Sequence, residues 1–222
     1  MLRQKWLGTL VVLGSLFIAA PALALPFVSF QVAGTVAGQS QEVALDVSGT
    51  INESYSGNSG IVMYGGEAGV GLPAGFHLFG HYYRHTNEFG EELVGDMTGV
   101  DAYVDMAGNE WGLDLEWHLG LIPGSPLKPF IGAGGSWARV NLDGEVRFEG
   151  ESSALQTETD VYRLYAVAGL KLGSALGVSV RGGMAMGEDE AASASYSLAG
   201  QTVAVSADYQ GYFVAGSVSL GF

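Results

Sequence analysis

Nine ionisable side chains stand among otherwise apolar or small residues: Glu67, His77, His81, Asp114, Glu116, His118, Arg163, Lys171 and Arg181. Carboxylates next to imidazoles could perform general acid–base catalysis or hold a metal. The same set could instead be a plug of mutually satisfied charges, because a buried charge persists when it is paired and hydrogen-bonded, and this set carries both signs. The mixture of signs favours the plug, so no catalytic residue, specific metal site or cofactor is expected. Other patterns fail on their chemistry. "GGEAGVG" and "GAGGS" lack the Lys-Ser/Thr and following helix of a phosphate cradle, and no His-Glu-x-x-His exists. Asp96, Asp101 and Asp105 are too widely spaced for an EF-hand loop, which leaves a solvated acidic stretch.

What positions these groups is a period of two. In "EWGLDLEWHLGL", Trp111, Leu113, Leu115, Trp117, Leu119 and Leu121 alternate with Gly112, Asp114, Glu116, His118 and Gly120. Successive side chains of a strand point to opposite faces, so this is a strand. The alternation returns in "FVSFQVAGTVA", "IVMYGGEAGVGL", "VYRLYAVAGLKL", "VSVRGGMAM" and "YFVAGSVSLGF". Two segments are less regular: "FHLFGHYYRH" mixes Phe79 and Tyr83 with His77, His81 and His85, and "PFIGAGGSWARV" changes phase near Trp137, where a bulge is expected. Together they make eight strands.

Connections of two kinds alternate. Short turns at 73–75, 122–128 and 173–177 separate long polar connections near 38–60, 87–109, 143–160 and 187–208, and the long ones hold 19 of the 23 acidic residues. That layout predicts an all-β fold: an eight-stranded antiparallel up-and-down transmembrane β-barrel with short periplasmic turns and long acidic extracellular loops. A soluble barrel would need a wet exterior, whereas the second face of these strands is mostly Gly, Ala and Ser. Small side chains suit the narrow lumen of eight strands, so Trp111, Trp117 and the other large apolar residues belong against lipid. Closure leaves no open edge in so apolar a chain.

Arg3 and Lys5, the apolar run from Trp6 to Ala20 and "ALA" at 22–24 read as a secretory signal peptide, residues 1–24, with residues 25–222 as one barrel domain. The run falls short of the roughly 20 residues of a membrane-spanning helix. There is no cysteine, hence no disulfide framework. With 9 basic residues against 23 acidic ones, the chain lacks the basic stripe that nucleic acid demands.

Over essentially all of residues 25–222 the chain resembles the small outer-membrane barrels of Gram-negative bacteria, of the OmpA-barrel and OmpX kind. The most specific likeness is the last strand. In that family an aromatic terminus with apolar residues at alternate positions is what the barrel-assembly machinery recognises, a role the resemblance gives to Tyr212, Val218, Leu220 and Phe222. The resemblance also implies residence in the bacterial cell outer membrane, contact with its lipid and lipopolysaccharide, and a monomer. No residue follows Phe222, so a peptidoglycan-binding domain of the OmpA kind is not expected. Some small barrels are lipid A deacylases, and "YRHTNEFGEE" is similar to the deacylase His-x-Ser-Asn motif at His85. It departs from that motif in having Asn87 where the nucleophilic Ser belongs, with Thr86 pointing away from His85.

The expected function is non-enzymatic: a barrel with a plugged polar lumen built on Glu67, His81, Asp114, Glu116, His118, Arg163, Lys171 and Arg181. Its acidic loops would serve envelope integrity or surface interaction, with weak divalent-cation binding at carboxylates such as Asp96, Asp101, Asp105, Glu149 and Glu151. The alternatives are an outer-leaflet lipid-modifying enzyme acting through His85 and a narrow small-solute pore. One register is also readable. If "PAG" joins Leu72 directly to Phe76, Glu67 lies opposite His81 in the lumen. An ion pair between them, with Arg181 and Glu116 at the same level, is then expected to block ions.

Overall fold

Backbone polar groups cannot go unpaired in hydrocarbon, and this chain satisfies them in one closed sheet. The computed structural model describes residues 28–49, 52–86, 91–95, 100–120, 125–148, 151–173, 175–187, 192–198, 201–207 and 210–221. The expected signal peptide, Asp96, Glu149 and Phe222 lie outside the described residues. The strands are β1 (Ser29–Ser48), β2 (Glu53–Gly71), β3 (Phe76–Thr86), β4 (Glu91–Gly95), β5 (Val100–His118), β6 (Leu127–Phe148), β7 (Glu151–Gly173), β8 (Leu176–Gly187), β9 (Ala192–Leu198), β10 (Gln201–Ala207) and β11 (Gly211–Gly221). Eight of them, β1, β2, β3, β5, β6, β7, β8 and β11, form the barrel, each antiparallel to its neighbours, and β11 returns to pair with β1. At the end opposite the short turns, here the outer end, β4 adds to β5 and the β9–β10 hairpin adds to β1.

The short turn after β2 shows how the chain reverses. Pro73 presets the first turn residue, Ala74 and Gly75 take φ of 63° and 83°, and the Leu72 N–H donates to the Phe76 carbonyl at 2.7 Å. This places Glu67 opposite His81.

Two expectations about the strands are corrected. No bulge interrupts β6: it pairs with β5 in constant register from Val100↔Phe148 through Trp111↔Trp137 to His118↔Phe130. The phase only seems to change in the sequence because the inward residues Phe130, Ala138, Val140 and Leu142 are themselves apolar. The connections near 38–60 and 143–160 are not long loops but paired strand almost to their tips, at Val47↔Glu53 and Phe148↔Glu151. Ile61, Val140, Leu142 and Val161, each 1% exposed, provide a small apolar core that keeps the outer hairpins together.

The lumen is fuller than its small residues suggested. Phe79, Tyr83, Phe130, Tyr165 and Phe213 also point inward, and each stands directly opposite a glycine: Gly69, Gly65, Gly169, Gly134 and Gly183 respectively. A Cβ on Gly69, Gly134 or Gly183 would lie 2.3, 2.5 or 2.6 Å from the facing ring. Glycine therefore makes room for a ring on the next strand, and these pairs occupy much of the lumen. The irregular look of "FHLFGHYYRH" has the same origin, since Phe79 and Tyr83 share the inward face with His77, His81 and His85.

On the outside, Trp111, Leu113, Leu115, Trp117, Tyr162, Leu164 and Leu170 are exposed. Tyr82, Trp111, Trp137 and Tyr162 occupy one row across β3, β5, β6 and β7. Ring centroids are 5.4 Å apart for Tyr82–Trp111 and 4.9 Å for Trp111–Trp137. The next row outward is Arg84, Asn109, Arg139 and Asp160, where the Tyr82 hydroxyl donates to Asn109 at 2.7 Å and Arg139 pairs with Asp160 at 3.1 Å. Aromatic rings followed by charge mark the edge of a hydrocarbon layer. Inward from that edge, Trp111 to Leu119 is nine residues, close to the roughly 9–11 that a tilted strand needs to cross.

Candidate functional site in the closed lumen

Four carboxylates lie outside the long acidic connections: Glu67, Glu110, Asp114 and Glu116. All four are buried in the lumen. The period of two puts them there, because Glu110, Asp114 and Glu116 take the even positions of β5 while Trp111, Leu113, Leu115 and Trp117 take the lipid face.

Arg181 on β8 organises the central level. Its guanidinium binds Glu67 and the Tyr83 hydroxyl, and its Nη1 lies 3.4 Å from Glu116 and 3.9 Å from Asp114. Glu67 also accepts from the Tyr83 hydroxyl and from the Thr35 hydroxyl at 2.9 Å. Asp114 accepts from the Tyr165 hydroxyl and from His81 Nδ1 at 3.0 Å. Toward the outer end, Arg163 on β7 binds Glu110 and Gln39, and His85 Nε2 lies 2.8 Å from Glu110. Toward the short turns, His118 Nε2 lies 2.8 Å from Glu116. A guanidinium suits such a place, since its planar fork serves several acceptors and keeps its charge when buried. Beyond Arg163, Ile61, Met106, Val140, Leu142, Val161 and Val203 are buried, so an apolar layer follows the polar one.

Of the residues expected in the network, Glu67, His81, Asp114, Glu116, Arg163 and Arg181 meet in the lumen, with His118 attached through Glu116. Lys171 stands apart: its amine binds Gln31 near the short turns and forms no ion pair among the described residues. The expected Glu67–His81 ion pair is also corrected. The two residues are opposite in the ladder, but His81 leans over Gly112, where a Cβ would come within 2.4 Å of the ring, and stacks on Tyr83 with centroids 4.6 Å apart. From there it reaches Asp114, and Glu67 is left to the permanent cation Arg181.

The sequence reading missed Glu110, Tyr83 and Tyr165. For Glu110 the available cue was its even position, shared with Asp114 and Glu116. For the tyrosines it was inward parity combined with a hydroxyl that must find a partner when buried. His85 lies at the outer end of β3, but its side chain is 0% exposed and lies against Glu110 inside the barrel. Asn87 lies outside the described residues. Among the described residues no group of three or more His, Asp or Glu is placed to hold a metal ion. Tyr212, Val218 and Leu220 face outward on β11.

No protein-family model matches the chain, and no curated protein matches it. Among solved structures, Neisserial surface protein A is 13% identical, with 87% of this chain and 97% of that one covered and a TM-score of 0.50. The N-terminal β-barrel domain of Pseudomonas aeruginosa OprF is 15% identical over 87% of this chain and 97% of that one, with a TM-score of 0.45. Closure by eight antiparallel strands, the apolar exterior and the first of these likenesses lead to one conclusion: the chain has the fold of the small eight-stranded outer-membrane β-barrels.

Proposed function

We propose that the protein is a non-enzymatic barrel of the bacterial outer membrane, closed to ions, whose working surface is its acidic outer hairpins. The observation that carries this reading is the filled lumen: a level of paired charges around Arg181 and Arg163 lies beneath an apolar layer that includes Leu142 and Val161. A pore would need a continuous wet path, and a lumen enzyme would need a substrate-sized opening beside its reactive groups. His85 is fully buried against Glu110 inside the barrel, away from the lipid face.

On this reading the exposed carboxylates of the outer hairpins, among them Glu42, Asp46, Asp143, Glu151, Glu158 and Asp160, face anionic lipopolysaccharide. Divalent cations would bridge the two, weakly and at many points, since hard oxygen ligands suit Ca²⁺ and Mg²⁺. The barrel-assembly machinery would read the last strand through Tyr212, Val218, Leu220 and Phe222, and the folded protein would act as a monomer. Cell fractionation tests residence: the protein should sediment with outer membranes, and loss of Phe222 should lower the assembled amount. Recovery of folded protein from a detergent-free periplasmic extract would refute it.

A further inference from the structure

The short-turn end of the lumen differs in charge from the rest of the barrel. The turns at 72–76, 119–128 and 173–177 contain no Asp or Glu. The chain has three lysines, Lys5, Lys128 and Lys171, and the last two stand directly opposite each other on β6 and β7 with both side chains on the lumen side. Like charges in directly opposed positions of a sheet are destabilising, so this arrangement calls for a counter-charge. The described residues supply none to the amines. Lys171 binds the neutral Gln31, and neither lysine forms an ion pair. Glu116, the nearest buried carboxylate, is committed to His118 and Arg181.

Two imidazoles complete the mouth. His77 and His118 lie with ring centroids 4.0 Å apart, and the Nδ1 atoms of both are buried without a hydrogen-bond partner. Lys128, Lys171, His77, His118 and Gln31 line one cavity of about 300 Å³. That volume is at the lower end of the range for small-ligand pockets. A compact anion that carries more than one negative charge and several acceptor oxygens would satisfy both ammonium groups at once. Phosphate has this character: at neutral pH a monoester bears a charge of about −1.5 to −2 and three strong acceptor oxygens.

We propose that the short-turn mouth of the lumen is a binding site for a phosphate group, held between Lys128 and Lys171 in the cavity that His77 and His118 also line. The group could be free inorganic phosphate or the monoester headgroup of phosphatidic acid, which share this chemistry. The site adjoins the Arg181 network through His118, which is bound to Glu116, and does not depend on what the outer hairpins bind.

Because Lys128 and Lys171 are the lysines of the barrel, amine acylation reads the site directly. The folded full chain in an uncharged detergent is treated with an acylating ester, with inorganic phosphate or with chloride at equal ionic strength, and both lysines are followed by mass spectrometry. Phosphate should slow acylation of both amines severalfold, and chloride should not. In bilayer discs of phosphatidylcholine, protection that appears only when phosphatidic acid is added would assign the lipid headgroup as the source. Phosphate titration of Lys171→Gln should show about a tenfold loss of affinity, with Lys171→Arg retaining it. Equal acylation in phosphate, chloride and phosphatidic acid discs would overturn the proposal, as would unchanged affinity in a folded Lys171→Gln protein. The wild-type comparison stands whether or not the variant folds, and it is independent of the fractionation that tests membrane residence.

Discussion

Glu67 and His81 face each other across the β2–β3 ladder and yet bond to different partners, Glu67 to Arg181 and His81 to Asp114. Backbone register thus sets which residues share a level, while side-chain charge and space set who pairs with whom. The result concentrates three carboxylates, Glu67, Asp114 and Glu116, on the one guanidinium of Arg181.

That asymmetry makes the two ends of the Glu67–Arg181 pair unequal. Arg181→Met strips the central level of its permanent cation and should cost about 3–5 kcal/mol, the range for breaking a buried pair. Glu67→Gln keeps an acceptor for Thr35 and Tyr83 and leaves Arg181 with Asp114 and Glu116, so its cost should be smaller. Urea unfolding in lipid vesicles, followed by tryptophan fluorescence, measures both. Equal costs would show that Arg181 does not serve all three carboxylates.

Glycine–ring pairing gives a second expectation. Gly134→Ala places a Cβ 2.5 Å from the Tyr165 ring and 2.2 Å from an Asp114 oxygen, which should cost about 1–3 kcal/mol by overpacking. Tyr165→Phe deletes the hydroxyl that Asp114 accepts from and should also cost about 1–3 kcal/mol. Both changes disturb the same contact, so the double variant should lose less than the sum. Strict additivity in the same unfolding assay would count against a shared contact.

The lipid face predicts a depth profile. Leu115 lies midway between Trp111 and Leu119, and Leu115→Arg should cost about 2–4 kcal/mol, whereas Tyr162→Arg in the outer aromatic row should cost about 0–1 kcal/mol. A larger penalty at Tyr162 than at Leu115, measured by unfolding in vesicles, would misplace the membrane.

Much of this is legible in the sequence alone. The period of two assigned Trp111 and Asp114 to opposite faces, and the "PAG" turn was short enough to place Glu67 against His81. Parity carries no information about contact across the lumen, however. That Arg181 on β8 meets Glu67 on β2, or that Arg163 on β7 meets Glu110 on β5, depends on barrel closure and strand tilt, which bring together residues far apart in the chain. The outer hairpins were hidden for a related reason. Their acidic residues look like loop, while the strand signal sits in single inward residues such as Ile61, Leu142 and Val161.

His85 gives a further test. Purified protein should release no acyl chains from outer-membrane lipid, and His85→Ala should lower stability because Glu110 loses a buried partner. Acyl release that vanishes in His85→Ala while folding stays intact would establish an enzyme instead.

Closure of the lumen is tested most directly by single-channel recording in a planar bilayer. The wild-type protein and Glu67→Gln should both stay silent, because the apolar layer remains when the charged level is altered. Combining Glu67→Ala with Val140→Ser and Leu142→Ser removes part of both levels and should produce conductance steps. Stable steps from the wild-type protein alone would contradict a closed barrel.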